Sequence, residues 1–180
     1  MEPQKKRETG IVQVYTGCGK GKTTAAWGLA MRAAGQGRKV AIVQFMKAPA
    51  SGERIAARRL EPLLYVTGET SPYNACEDQS GSARCREESR SIFTEALKLL
   101  SSGEWDVVIL DEINVVLHYK YVTREEMEHL LGRRPRGTEL ILTGRGAPDW
   151  LIDAADLVTE MKEVKHPAET GLSARRGIEY

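Results

Sequence analysis

The segment VYTGCGKGKTTAA, residues 14–26, constrains the fold more than any other part of the chain. Gly21, Lys22 and Thr23 match the end of the phosphate-binding pattern G-x-x-x-x-G-K-[ST], but Thr16 stands where the first glycine belongs, and Gly17 follows one place late. The apolar run before this segment predicts a strand, and the alanine-rich stretch after it predicts a helix. A glycine-rich loop in that setting favours phosphate binding over a simple turn. The late glycine leaves open how a nucleotide lies in it.

The chemistry of the loop suits an anion. Its glycines allow successive backbone N–H groups to point inward, and the following helix adds its N-terminal dipole. Lys22 supplies a positive charge for the distal phosphates, and the Thr23 hydroxyl suits Mg²⁺ or Mn²⁺. Near two lysines the Cys18 thiol could become acidic and oxidisable, although a tolerated small residue is the favoured interpretation. The predicted nucleotide ligands are Gly17, Cys18, Gly19, Lys20, Gly21, Lys22, Thr23 and Thr24.

The rest of the chain alternates between predicted strands and helices. Nearly continuous apolar strands of this kind are buried on both faces of a parallel sheet. The pattern predicts an α/β fold of the P-loop NTPase type, with three layers and a mostly parallel sheet flanked by helices. We expect one domain over residues 1–180, with residues 1–10 as a flexible N-terminal arm. Further strands are predicted at 39–47, 63–68, 105–112, 137–146 and 156–164, and further helices at 51–61, 83–103, 124–135 and 148–155.

Composition excludes several classes of protein. With 26 basic and 25 acidic residues, the chain has no global attraction for nucleic acid or an anionic membrane. Cys18, Cys76 and Cys85 lack metal-ligand spacing, which argues against a disulfide framework and a structural metal and favours a reducing compartment. The polar N-terminus lacks the apolar core of a secretory signal, and no apolar run has the length of a membrane span. We therefore expect a cytoplasmic protein without a membrane or nucleic-acid partner.

Polar residues follow four of the predicted strands. Ligands of parallel α/β sheets bind beyond the carboxyl ends of the strands, so residues 17–24, 44–47, 111–112 and 143–146 should meet there. Asp111 and Glu112 close an apolar strand, as the acidic partner of a phosphate loop does. One acid can hold the loop or a metal-bound water while the other approaches the metal, and the sequence leaves open which does which.

Two further features have alternative interpretations. Residues 67–82 are polar and rich in turn formers, so they predict a loop that is either a lid over the site or a surface excursion. His118 and His129 have no metal-ligand spacing, and we interpret both as structural residues.

Five segments together resemble one family. They are VYTGCGKGKTTAAWGLAMRAAGQGRKVAIVQFMK, GER, VVILDEI, LILTGRG and VKHPAETGLSARRGIEY, which run in order from about Gly10 to Tyr180. They resemble the ATP:corrinoid adenosyltransferases that make adenosylcobalamin. The resemblance implies that a cobalt(I) corrinoid attacks the 5′ carbon of ATP and that inorganic triphosphate leaves. It also implies that the nucleotide lies in the loop with reversed polarity, and that Thr16 is a feature of the family.

The resemblance also implies roles and partners. Lys22 and Glu112 are then the catalytic residues, and Mg²⁺ (or Mn²⁺) is held by Thr23, Glu112 and Asp111. The family implies a homodimer, a separate reductase that supplies cobalt(I), and N-terminal residues that cover the site.

The chain departs from the family pattern on the corrinoid side. Members carry aromatic residues just after the T-G of the long loop, where this chain has Glu69 and Ser71, and Tyr73 is the candidate replacement as a corrinoid contact.

Two other functions fit the phosphate loop alone. A P-loop ATPase or kinase would use the two acids to position a water, and a nucleotide-sensing module would use residues 67–82 as a switch. Neither needs the C-terminal VKH and GIEY segments, so the family match disfavours both.

Overall fold

Strands and helices alternate along the chain in the computed structural model, which describes residues 9–47, 51–68, 79–167 and 171–178. The strands are β1 (Val12–Thr16), β2 (Val40–Gln44), β3 (Leu64–Thr67), β4 (Val107–Asp111), β5 (Glu139–Thr143) and β6 (Leu157–Glu160). The helices are α1 (Lys22–Gly35), α2 (Gly52–Ala57), α3 (Gln79–Ser102), α4 (Ile113–His118), α5 (Arg124–Arg133) and α6 (Asp149–Ala154). A single 3₁₀ turn, Arg58–Leu60, follows α2.

The six strands form one sheet in the order β3-β2-β4-β5-β1-β6, and every pairing in it is parallel. In register, Ile42 lies beside Ile109 and Val14 beside Leu142. Strands β1, β2 and β4 are buried along their whole length. The predicted α/β fold with a mostly parallel sheet is confirmed, and the described strands go further by being parallel throughout.

Each face of the sheet packs against its own helices. Val108 and Leu110 point to one side, into a core that includes Phe93 of α3 and Leu130 of α5. Ile109 points to the other side, into the core built around α1. Because successive side chains of a strand alternate between faces, burial on both faces requires apolar residues at every position. This double burial explains the continuous apolar runs in the sequence.

Three expectations need correction. The predicted loop of 67–82 is wrong at both ends, because Thr67 belongs to β3 and helix α3 begins at Gln79, while residues 69–78 lie outside the described part of the chain. The helix α4 was not predicted, because it has only six residues, INVVLH, and its β-branched residues have low helix propensity. Cys85 is disulfide-bonded, although the cysteine spacing argued against a disulfide framework, so that spacing no longer supports a reducing compartment. Cys18 is a free, exposed thiol.

No helix in the described part of the chain is long and apolar enough to cross a membrane.

Candidate active site

Asp111 is the centre of the site. It is fully buried at the carboxyl end of β4, and its carboxylate accepts four side-chain hydrogen bonds. Their donors lie at or beyond the ends of β1, β2 and β5, at 2.6 to 3.2 Å: Thr23 Oγ1, Thr143 Oγ1, Gln44 Nε2 and Lys47 Nζ. A buried carboxylate needs such partners, because burial without them is costly. The predicted meeting of the four strand ends is therefore confirmed.

The same cluster extends to α2 and to the end of β3. The Arg54 guanidinium donates to Gln44 Oε1 at 3.2 Å and to the Gly68 carbonyl at 2.8 Å. Gly68 has a positive φ of 83°, and a Cβ there would lie 2.2 Å from the Gln44 carbonyl oxygen. Arg54 comes from the GER segment, so this short sequence serves to fix the end of β3 against β2.

The phosphate loop holds its lysine close. Lys22 Nζ donates to the carbonyls of Gly17 and Gly19, each at 2.7 Å. Burial lowers the pKa of Lys22, which the nearby Glu112 carboxylate partly opposes. Helix α1 begins directly after Gly21, and no side chain caps its first N–H groups. Both the ammonium and the helix end are thus placed to receive an anion.

The glycines of the loop have a second task that the sequence did not indicate. The Gly19 N–H donates to the Met161 carbonyl at 2.6 Å instead of pointing into an open nest. A Cβ on Gly17 would lie 2.4 Å from that same carbonyl oxygen, and a Cβ on Gly19 would lie 2.8 Å from Lys162. These two glycines therefore let the chain that follows β6 pass directly against the loop.

Glu112 turns the chain from β4 into α4 in a strained conformation. Its φ of 68° lies in the left-handed region, which a glutamate rarely adopts. Its N–H donates to Thr143 Oγ1 at 3.0 Å, which fixes the backbone, and its side chain lines the open part of the site. Burial raises the pKa of Glu112, and the neighbouring Asp111 raises it further.

Two cavities adjoin at this point. The first, of about 300 Å³, is polar and will be called the phosphate cavity. Every predicted loop ligand except Gly17 lines it, and the C-terminal part of the chain contributes the rest of its wall. Its lining comprises Cys18, Gly19, Lys20, Gly21, Lys22, Thr23, Thr24, Lys47, Glu53, Glu112, Arg145, Glu163, His166 and Ile178.

The second cavity, of about 440 Å³, is mostly apolar and will be called the apolar cavity. It lies between the end of β2 and helix α4, and Met46, Val115, His118, Tyr119 and Gly146 line it together with residues of the shared wall. That wall consists of Lys47, Glu112 and Arg145, which line both cavities. A polar site and an apolar site therefore meet across three charged side chains.

The structure brings together most, but not all, of the predicted site residues. Lys22, Thr23 and Glu112 line the phosphate cavity, while Asp111 lies behind it, bonded to Thr23. Tyr73 lies outside the described residues.

Sequence reasoning missed several lining residues. Glu163 and His166 had no assigned role, and His118 was interpreted as structural. Arg145 was expected at this edge as part of residues 143–146, although without a role of its own. No local signal marks His118.

Comparison with known proteins agrees with this geometry. Residues 8–180 match the model of the family described as ATP:corrinoid adenosyltransferase BtuR/CobO/CobP. The chain belongs to this family.

Curated relatives match over nearly the whole chain. The corrinoid adenosyltransferase of Escherichia coli strain K12 is 39% identical over 98% of this chain and 89% of its own length. The corrinoid adenosyltransferase CobA of Salmonella typhimurium is 37% identical over the same shares, and that of Pseudomonas aeruginosa is 36% identical over 98% of this chain and 87% of its own. The family assignment makes the chain a transferase whose substrates are ATP and a corrinoid.

Proposed function

We propose that the chain transfers the 5′-deoxyadenosyl group of ATP to the cobalt(I) of a corrinoid and releases inorganic triphosphate. The observation that carries this proposal is the shared wall of Lys47, Glu112 and Arg145 between the two cavities. A triphosphate fits the polar cavity at the N-terminus of α1, and the flat, largely apolar face of a corrin ring fits the apolar one. The reacting carbon then lies where the two meet.

The bond changes set what the protein must do. The cobalt(I) electron pair forms the bond to C5′, the C5′–O bond breaks, and its electron pair leaves on the triphosphate. No proton moves in this step, so no general base is needed. Charge develops on the leaving oxygen, and fixed positive groups that face it lower the barrier. Lys22 is the first such group and Arg145, at the shared wall, is the second.

The residues present fit a divalent cation bound together with the nucleotide. The described residues contain no group of three or more His, Cys, Asp or Glu side chains that would hold an ion alone. Mg²⁺ instead takes one or two protein oxygens and completes its shell with phosphate and water. We propose Thr23 and Glu112 as those ligands, since both line the phosphate cavity and the pKa of Glu112 is raised by burial and by Asp111, which nearby cations offset only in part. Asp111 then positions Thr23 from behind. The bound ion supplies positive charge to the triphosphate.

Tyr73 stays a predicted corrinoid contact, since it lies outside the described residues.

The organisation of the protein also stays a prediction. We propose a single domain with an N-terminal arm, a homodimer, a cytoplasmic location and a separate reductase as the source of cobalt(I). The support for the dimer and the reductase is the family resemblance. Light scattering of the purified protein tests the dimer, and a monomer at micromolar concentration would reject it.

The deciding assay mixes the protein with ATP, Mg²⁺ and a chemically reduced corrinoid in the dark. We expect the cobalt(I) absorbance to disappear, a light-sensitive product to form, and one triphosphate to appear per corrinoid consumed. ADP without corrinoid consumption would instead support an ATPase or kinase. ATP binding without any turnover would support a nucleotide-sensing module.

A further inference from the structure

Lys47 places a positive charge at the Thr23 hydroxyl. Its Nζ lies 2.7 Å from Thr23 Oγ1 and 2.6 Å from Asp111 Oδ2. The Asp111 carboxylate is fully buried, whereas the Lys47 side chain keeps 26% of its surface exposed. One partner of this ion pair is therefore fixed, and the other lies at the edge of a cavity.

The Thr23 hydroxyl has only one lone pair left for a further partner in this arrangement. It donates its proton to Asp111 Oδ1 at 3.0 Å and accepts a hydrogen bond from Lys47. A hydroxyl has two lone pairs, so one remains for a further partner. A divalent ion on that lone pair, at the usual metal–oxygen distance of roughly 2.1 Å, would lie only about 4 Å from the ammonium. Two positive charges so close and so little exposed to water repel strongly.

Lys47 is one of four donors that hold the Asp111 carboxylate. Gln44 and Thr143 also donate to the carboxylate, at 3.2 and 2.6 Å, and Thr23 holds its other oxygen. Lys47 lines both cavities, so its flexible side chain has open space on either side of the shared wall. The ammonium can therefore leave Thr23 without dismantling the cluster.

We propose that Lys47 is an internal cation that occupies the Thr23 hydroxyl in the ligand-free enzyme and is displaced from it when a divalent cation binds. The inference rests on the proposed metal position at Thr23. It adds that a positive charge always lies beside the Thr23 hydroxyl. Lys47 neutralises Asp111 before the metal binds, and it moves toward the shared wall afterwards. Lys47 thereby opposes metal binding in the absence of the nucleotide.

The test uses Mn²⁺ and the nucleotide-free protein, with free Mn²⁺ measured by electron paramagnetic resonance. The variant Lys47→Met keeps the length of the side chain and removes its charge. We expect it to bind Mn²⁺ about tenfold or more tightly than the wild type, because the repulsion is gone. Without metal the variant should melt at a lower temperature, since Asp111 loses its counter-ion, and Mn²⁺ should raise its melting temperature more than that of the wild type. Lys98→Met, which removes an exposed charge on α3, is the matched control and should change neither quantity.

Equal or weaker Mn²⁺ binding by Lys47→Met would overturn the inference and would mark Lys47 as a phosphate contact only. If Lys47→Met does not fold, Lys47→Gln keeps a donor for Asp111 without the charge and is expected to tighten Mn²⁺ binding in the same direction. Failure of Mn²⁺ to bind the wild type and both variants, with or without ATP, would reject the metal position at Thr23 as well. The corrinoid assay on the wild type tests the proposed function separately from these metal-binding measurements, so the inference about Lys47 can fail while the proposed function holds.

Discussion

The two acids at the end of β4 are neighbours in sequence but belong to opposite environments. The Asp111 side is closed: the carboxylate has no exposed surface and is bonded to four side chains. The Glu112 side is open: the carboxylate lines both cavities, and its backbone is held in a left-handed conformation. The strand ends at Asp111, and the left-handed turn at Glu112 separates a structural acid from an acid that faces ligand.

This difference shows how the site divides its work. On the closed side the hydrogen bonds are satisfied before any ligand binds, so Asp111 holds Thr23, Thr143, Gln44 and Lys47 in place. On the open side nearby cations offset the burial of Glu112 and the charge of Asp111 only in part, so the pKa of Glu112 stays raised. Perturbed pKa values of this kind are typical of groups that bind a ligand or a metal. Mutations on the two sides should consequently have opposite effects on stability.

The largest effect is expected on the closed side. Asp111→Ala removes the common acceptor and leaves Lys47 and two hydroxyls without it, so unfolding free energy should fall by about 3–5 kcal/mol. Chemical denaturation measures this loss, with the exposed Asp153→Ala as control. A loss under about 1 kcal/mol would contradict the structural role of Asp111.

Lys22→Ala changes a residue that lines the phosphate cavity together with Glu112 and leaves the hydrogen bonds of Asp111 intact. Lys22 donates its described hydrogen bonds to two carbonyls of the loop, so the fold should persist without it, while corrinoid turnover should fall by about 10²–10³ or more. Cobalt(I) consumption measures turnover and a thermal melt measures folding. Wild-type turnover in this variant would remove Lys22 from the mechanism, and the exposed Lys98→Ala is the matched control.

Glu112→Gln should give the smallest change in stability, and in the opposite direction to Asp111→Ala. A carboxyl group whose pKa is raised by folding stabilises the protein below its unfolded pKa, near 4.3, and loses that contribution as pH rises through the folded pKa. At neutral pH the variant should therefore be more stable than the wild type, by about 0.5–2 kcal/mol, while its turnover falls.

Melting curves from pH 4 to pH 8 check this prediction. The difference in melting temperature between Glu112→Gln and the wild type should become smaller as the pH falls. A variant that is less stable than the wild type at neutral pH would show that Glu112 is compensated, as Asp111 is.

The sequence by itself determined the fold class and the meeting of the strand ends. Strands that are apolar at every position can only be buried on both faces, and parallel strands bring their carboxyl ends to one edge. Thr23, Gln44, Asp111 and Thr143 were therefore expected together, although they are far apart in the chain. The ordered segments from the loop to the C-terminus also identified the family.

Only the tertiary structure decided what each of these residues does. It assigned Asp111 to the closed side and Glu112 to the open side, and it turned INVVLH into a helix through one strained residue. It brought Glu163 and His166 to the phosphate cavity, and it showed that Gly17 and Gly19 make room for the chain after β6. These outcomes depend on contacts between residues distant in sequence. Local propensity and spacing record the conformation a segment prefers, but they do not record which distant group it will meet.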